Sequence, residues 1–210
     1  VLTNDPVYSL EFKRVDFSSN KPFRVFVSLA QLFHTDLWKN NNYYYEKYKT
    51  EIVNLVNTLE KNNIPYTFIS FMENSDDKFV KLVTNKESII IKHYSEISSL
   101  FEPYNSICVG LRYHFNLISL LHGLPTIPIV YHHKVYSLVK KFQLKHYQEL
   151  GNGENWRESF LSSDLLIKQI KETMSNYSKI QENIKSVIEL ERRKESTNIE
   201  ILKELIDCEV

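Results

Sequence analysis

The sequence predicts an α/β domain, a parallel sheet flanked by helices, followed by a long helical arm. Between Arg24 and Val130 the apolar pattern alternates between short runs rich in β-branched residues and longer segments of helical period. Most of the short runs are continuously apolar, as strands covered on both faces are. After "ELGNGENW" a single amphipathic stripe extends from Asp164 to Arg193.

Taken in order, "RVFVSLA" (Arg24 to Ala30) predicts the first strand, and "KNNNYYYEKY" a loop entering a helix. That helix spans Tyr45 to Lys61, with Tyr48, Ile52, Leu55, Val56 and Leu59 on one face and Asn62, Asn63 and Pro65 ending it. "YTFISF" (Tyr66 to Phe71) is the second strand. "NSDDKFVKLV" opens the next helix with Asn74 at the N-cap, and Asp76 and Asp77 as capping residues that complement the dipole. Strands follow at Ser88 to His93, Ser106 to Gly110 and Thr126 to Val130. Leu111 to His122 is a helix closed by Gly123 and Pro125, with His122 favouring the negative helix end, and Tyr136 to Phe142 is another helix. In the arm, Leu166, Ile170, Met174, Tyr177, Ile184 and Ile188 form one stripe, and Thr197 with Glu200 fits a capping box that starts a second, short helix. The stripe predicts packing back on the domain; the alternative is a coiled-coil seam that makes a homo-oligomer. These divisions give an N-terminal segment 1–22, a Rossmann-like domain 23–150 and a helical extension 151–210.

With 210 residues, the chain can bury roughly 70% of the surface its unfolded form exposes. Cys108 and Cys208 have no partner at metal-binding spacing, a usage that suits a reducing cytoplasm. Twenty-six basic residues balance twenty-six acidic ones, which argues against bulk nucleic acid as a partner. No run of about eighteen apolar residues predicts a membrane span, and "VLTNDPVYSLEFKR" lacks the order of a signal peptide. The start, without methionine, reads as the edge of a longer protein.

The chemistry-bearing stretch is "VGLRYHFNLISLLHGLPTIPIVYHHK", Val109 to Lys134. Gly110 permits a tight turn out of a strand, and Arg112 and His114 fall in the first turn of a helix, where the dipole disfavours a cation. A small anion would resolve that conflict, taking helix N–H bonds and the Arg112 fork while His114 donates or shuttles a proton. The ordinary structural reading is equally open: Arg112 reaches a carboxylate of the protein and His114 is a half-buried core histidine. Lys134, at the next strand end, either faces the same anion or is a solvated lysine starting a helix. His132 and His133 flank it; adjacent histidines are expected to face different ways, and no third ligand stands at zinc-like spacing, so no metal is expected. Tyr43 to Tyr45 either line a sugar cleft or, as aromatics before a helix usually do, staple the helix or join the core. His34, His93 and His146 carry no context.

This run resembles the C-terminal signature of polysaccharide pyruvyl transferases: a strand ending in Gly, Arg-x-His, an apolar helix, a Gly-x-Pro turn, a strand and Tyr-x-x-Lys. Here these are Gly110, Arg112, His114, Gly123, Pro125, Tyr131 and Lys134. "NDP" (Asn4 to Pro6) is similar to the Asp-Pro at that family's interdomain junction, and "SDD" (Ser75 to Asp77) to the acidic turn after the second strand of its C-terminal half. The resemblance covers about 150 residues and implies the C-terminal half of a two-domain, GT-B-type enzyme. It implies a transferase that moves the enolpyruvyl unit of phosphoenolpyruvate onto a lipid-linked or nucleotide-linked glycan acceptor as a ketal. No further cofactor is implied, and the location would be the cytoplasm or the cytoplasmic face of a membrane. His114 would be the acid/base, and Arg112, Tyr113, Gly110 and Lys134 the substrate-binding residues. Where many members end the first strand of this half in arginine, this chain has Ala30, so Arg24 or Lys134 would supply that contact.

Two rivals stand beside it. A nucleotide-sugar transferase of the same fold would want a glycine-rich phosphate loop, yet the four glycines, Gly110, Gly123, Gly151 and Gly153, form no G-x-G-x-x-G. A non-catalytic α/β binding or scaffolding module predicts a strand-end face with Arg112 already paired to a protein carboxylate.

Overall fold

A computed structural model describes residues 12–32, 42–150 and 161–207, with the backbone alone for 42 and 195–207. The predictions at Asn4 to Pro6, His34 and Cys208 lie outside the described residues.

Six parallel strands form one sheet: β1 (Phe23–Ser28), β2 (Tyr66–Ser70), β3 (Ser88–Ile90), β4 (Asn105–Gly110), β5 (Thr126–Val130) and β6 (Gln148–Glu149). Their spatial order is β3-β2-β1-β4-β5-β6, the Rossmann-like α/β arrangement. β1 and β4 pair along their whole length, from Phe23 opposite Asn105 to Ser28 opposite Gly110. Strand order reverses between them, so a crevice is expected beyond Ser28 and Gly110. Every residue of β4 and β5 is buried, which accounts for the apolar runs Ile107–Val109 and Ile127–Val130, while the buried polar Asn105, Ser106 and Thr126 at their amino ends are hydrogen-bonded.

Alternation along the strands divides the core. Val25, Val27, Ile107, Val109, Ile127 and Ile129 face helices α1 (Asn42–Lys61), α2 (Asp76–Thr84) and α6 (Ser163–Ser175). Phe26, Ile69 and Cys108 face the other way, against α3 (Ser95–Phe101) and α4 (Tyr113–Leu121). Burial pushes the Cys108 thiol up to about 12, so it is an inert core thiol.

The arm packs on the domain, but as two helices. α6 ends at Asn176, and α7 (Tyr177–Asp207) starts afresh and continues helically through 197–200, where a second start was expected. At about 1.5 Å per residue α7 is roughly 46 Å long. Leu166, Ile170, Tyr177, Ile184 and Ile188 are buried and Met174 is half-buried, so the stripe serves the core of this chain rather than a coiled-coil seam. Tyr177 donates to the Ser106 carbonyl at 3.0 Å, which places the break between the helices near the amino end of the sheet. α7 then joins α4 and α5 (His133–Lys141) on the opposite face through Leu117, Leu121, Leu138, Ile184 and Ile188.

The segment 12–22 is laced into the same end. The buried Gln181 amide donates to the Val15 and Gly123 carbonyls at 2.7 and 3.0 Å and accepts from the Phe17 N–H. α3 and β6 were not foreseen. Other boundaries moved by a few residues, with β3 ending at Ile90 and α5 starting at His133.

His122 corrects the expectation of a charged helix end. It occupies the C-cap position of α4 but is fully buried, with Phe12 and Phe101 packed edge-on to its ring. Nδ1 lies 2.6 Å from the Lys13 carbonyl, and since a carbonyl only accepts, Nδ1 carries the proton. Burial, the largest influence, holds its pKa below the ordinary histidine value despite that bond. A depressed folded pKa means the unfolded chain binds the proton more readily, so this contribution to stability is full above about pH 6.5 and is lost as pH falls below it. Urea midpoints measured from pH 7.5 to 5.5 should fall more steeply for the wild type than for His122→Gln.

Candidate functional site

At the carboxyl end of β4 the chain leaves the sheet through Gly110 and Leu111, whose N–H bonds the Ser28 carbonyl at 2.9 Å. Gly110 is needed for space rather than for turn conformation, because its φ is not positive. A Cβ there would overlap the Phe115 ring and Asn116 Oδ1 of α4, while Asn116 Nδ2 donates to the Gly110 carbonyl at 2.9 Å. That close approach fixes where α4 begins. Gly110→Ala should destabilise the protein by about 1–3 kcal/mol, read from urea denaturation, by forcing the first turn of α4 away from the strand.

Arg112 sits at the N-cap of α4 with an extended backbone and no capping side-chain bond. Its guanidinium is engaged by the protein: Nε and Nη2 donate to the two carboxylate oxygens of Asp76 at 3.0 and 2.6 Å. Asp76 is fully buried, whereas the Arg112 side chain keeps 27% of its surface exposed. The bidentate edge expected for an anionic ligand is therefore occupied. The physical reason is that a carboxylate without solvent requires a partner, and the planar fork matches it. Burial disfavours the guanidinium charge, but Asp76 outweighs it and the Arg112 pKa lies above its ordinary value.

This pair also corrects the reading of the acidic turn. Asn74 adopts a left-handed φ of 65° and Ser75 is the N-cap of α2, without a side-chain capping bond. Asp76 is not merely a dipole-complementing residue; it anchors the exit from β4. Buried beside it, Tyr48 donates to the Ala30 carbonyl at 3.2 Å and stacks on Phe79. Burial, with a smaller contribution from the Asp76 charge, pushes the Tyr48 hydroxyl pKa upward. Tyr45 is also in the core and Tyr44 packs against it, both within α1, so these two follow the core reading, while Tyr43 is exposed.

Two residues on, His114 is exposed, its ring edge-on to Tyr113 at 5.4 Å, with no hydrogen-bond partner among the described residues. Tyr113 is half-buried between α4 and α5. On the neighbouring strand, β5 runs through Tyr131 into His132, the N-cap of α5, whose Nδ1 accepts from the Lys134 N–H at 3.3 Å. The His132 and His133 rings do not diverge as expected but lie 4.0 Å apart. Burial, then His133 and Lys134, hold the His132 pKa low. Lys134 is exposed. Among the described residues no group of three potential metal ligands occurs.

The structure thus gathers Arg112, Tyr113 and His114 at one strand exit and His132, His133 and Lys134 at the adjacent one. Arg24 is excluded from this cluster: it is the second residue of β1, at the amino end, donates to Thr67 Oγ1 at 2.8 Å and lies over the Tyr104 ring. The pairing role of Asp76 and the capping role of His132 were not anticipated. The signal for the first was a second acidic residue in a turn that needs only one; for the second, a polar residue that accepts hydrogen bonds directly before a helix.

No described helix is long and apolar enough to cross a membrane. Neither the family models nor the curated proteins compared with this chain include a match to it.

Proposed function

We propose that this chain is the donor-binding half of a phosphoenolpyruvate-dependent pyruvyl transferase, acting at the cytoplasmic face of a membrane on a lipid-linked or nucleotide-linked glycan. What supports the reading is one meeting in space: Asp76 of the "SDD" turn and Arg112 of the Arg-x-His run, the two segments that carry the resemblance, join through a bidentate ion pair at the carboxyl end of the sheet.

On this reading Arg112 is a donor-binding residue held in place by Asp76, and its Nη1 edge, without a partner among the described residues, is left for the donor. The anion is met by that edge, by the first N–H groups of α4 and by Lys134. His114 supplies the proton that converts the vinyl CH2 to methyl. Two sugar oxygens bond to the central carbon, its bond to the phosphate oxygen breaks, and the two hydroxyl protons end on the methyl carbon and the phosphate.

The neutralised Arg112 also favours a second reading, a non-catalytic binding module, since that rival predicts this pair. Calorimetry on the full chain separates them. Phosphoenolpyruvate should bind saturably, a nucleotide sugar should not, and Lys134→Ala should weaken donor binding about tenfold, the 1.4 kcal/mol scale of one charge-assisted hydrogen bond. Absence of phosphoenolpyruvate binding leaves the module reading standing.

A further inference from the structure

At the opposite end of the sheet lies a cavity of about 210 Å³ that the proposed transfer chemistry does not use. Its walls are the amino end of β5 at Pro125 and Thr126, the loop 142–146 after α5, and the break between α6 and α7. It opens to solvent and has room for a short phosphorylated carbon chain.

Three features give the cavity a chemical preference. Thr173, 1% exposed, lines it, and its Oγ1 has no hydrogen-bond partner among the described residues. A buried hydroxyl left unpaired is destabilising, so a polar ligand atom brought within its reach would gain a hydrogen bond that the protein itself does not supply. Lys145, His146 and Lys179 also line the wall, while no carboxylate residue does. Glu172, outside the lining, lies 3.7 Å from His146 Nε2 and 3.9 Å from Lys168 Nζ. Finally, Asn176, Lys179 and Ile180 bring the N-terminal turn of the 31-residue helix α7 to the cavity, and that end carries the positive pole of the dipole.

The geometry points to a binding site for a small phosphate monoester between the loop 142–146 and the α6–α7 break. Lys145 and Lys179 meet the phosphate, and the Thr173 hydroxyl meets a polar atom of the carbon chain, whose body lies against Phe142, Leu144 and Ile184. The site is independent of the donor reading, because it lies at the amino end of the strands.

Glycerol 3-phosphate is the probe and glycerol the uncharged control, with binding followed by calorimetry and by the rise in melting temperature of the full chain. Saturable binding of the phosphate ester alone is expected. It should weaken at least tenfold in Lys145→Ala/Lys179→Ala, both exposed positions, and several-fold in Thr173→Val. Thr173→Val should leave the free protein as stable as the wild type or more so, since it removes a hydroxyl that bonds nothing. Lys134→Ala, which removes a contact to the proposed donor, should bind the probe normally. Binding unchanged in the Lys145→Ala/Lys179→Ala variant, binding lost in Lys134→Ala, or no saturable binding at all would overturn the assignment.

Discussion

Arg112→Ala should destabilise the protein by about 3–5 kcal/mol in urea denaturation, because it strands a fully buried carboxylate. The two partners are not equivalent. Asp76→Ala leaves a guanidinium whose side chain is already 27% exposed and can turn to water, so its loss should be clearly smaller. Arg112→Lys keeps the charge but not the fork, and should fall between wild type and alanine. The double variant Asp76→Ala/Arg112→Ala should recover part of the loss, with a coupling energy of about 0.5–3 kcal/mol, since no buried charge then lacks a partner. If Arg112→Ala proved as mild as a surface substitution, the pair would not anchor the β4 exit. The same reasoning makes Arg112→Ala a poor probe of ligand binding, because any lost affinity would be confounded with a displaced α4.

How much was legible follows from what each signal depends on. β1, β4 and β5 were readable to within a residue or two because the middle of a strand covered on both faces must be apolar, whatever its neighbours are. α3 escaped because "SEISSLF" is short and buries only Ile97 and Phe101, too few positions to show a period. The break at Asn176 was hidden because the stripe stays in phase across it, Thr173 and Tyr177 both being buried four residues apart. Conversely, the capping box at Thr197 was overridden because a helix already under way adds one bond per residue, whereas a new start must pay the cost of nucleation.

The candidate site was half legible for a related reason. A cation at a helix start is a local anomaly, visible in four residues of sequence. Its resolution is a contact between residues 36 apart, created only when β1 seats between β2 and β4 and brings α2 beside the β4 exit. Local rules could mark Arg112 as misplaced and Asp76 as one carboxylate more than a cap requires; they could not join the two. Likewise Gly110 was flagged as a turn residue, but the demand on it comes from Phe115 and Asn116 packing against it from the next helix.

His114→Ala should lower turnover by about 10²–10⁴-fold if the donor reading holds, the usual worth of a positioned acid/base. The measurement is phosphate release from phosphoenolpyruvate in the presence of a glycan acceptor, made on the full protein. His114 is suited to this test in a way Arg112 is not. It is exposed and bonds nothing among the described residues, so its truncation should shift stability by no more than about 0.5 kcal/mol. A drop in turnover with an unchanged urea midpoint therefore reports chemistry rather than folding. The split between parameters adds a second check: a proton donor acting on the vinyl carbon lowers kcat, whereas a residue that only holds the donor raises KM. Near-normal turnover in His114→Ala would leave the exposed imidazole without a catalytic role. The Asp76–Arg112 pair would then stand as the structural anchor of a binding module.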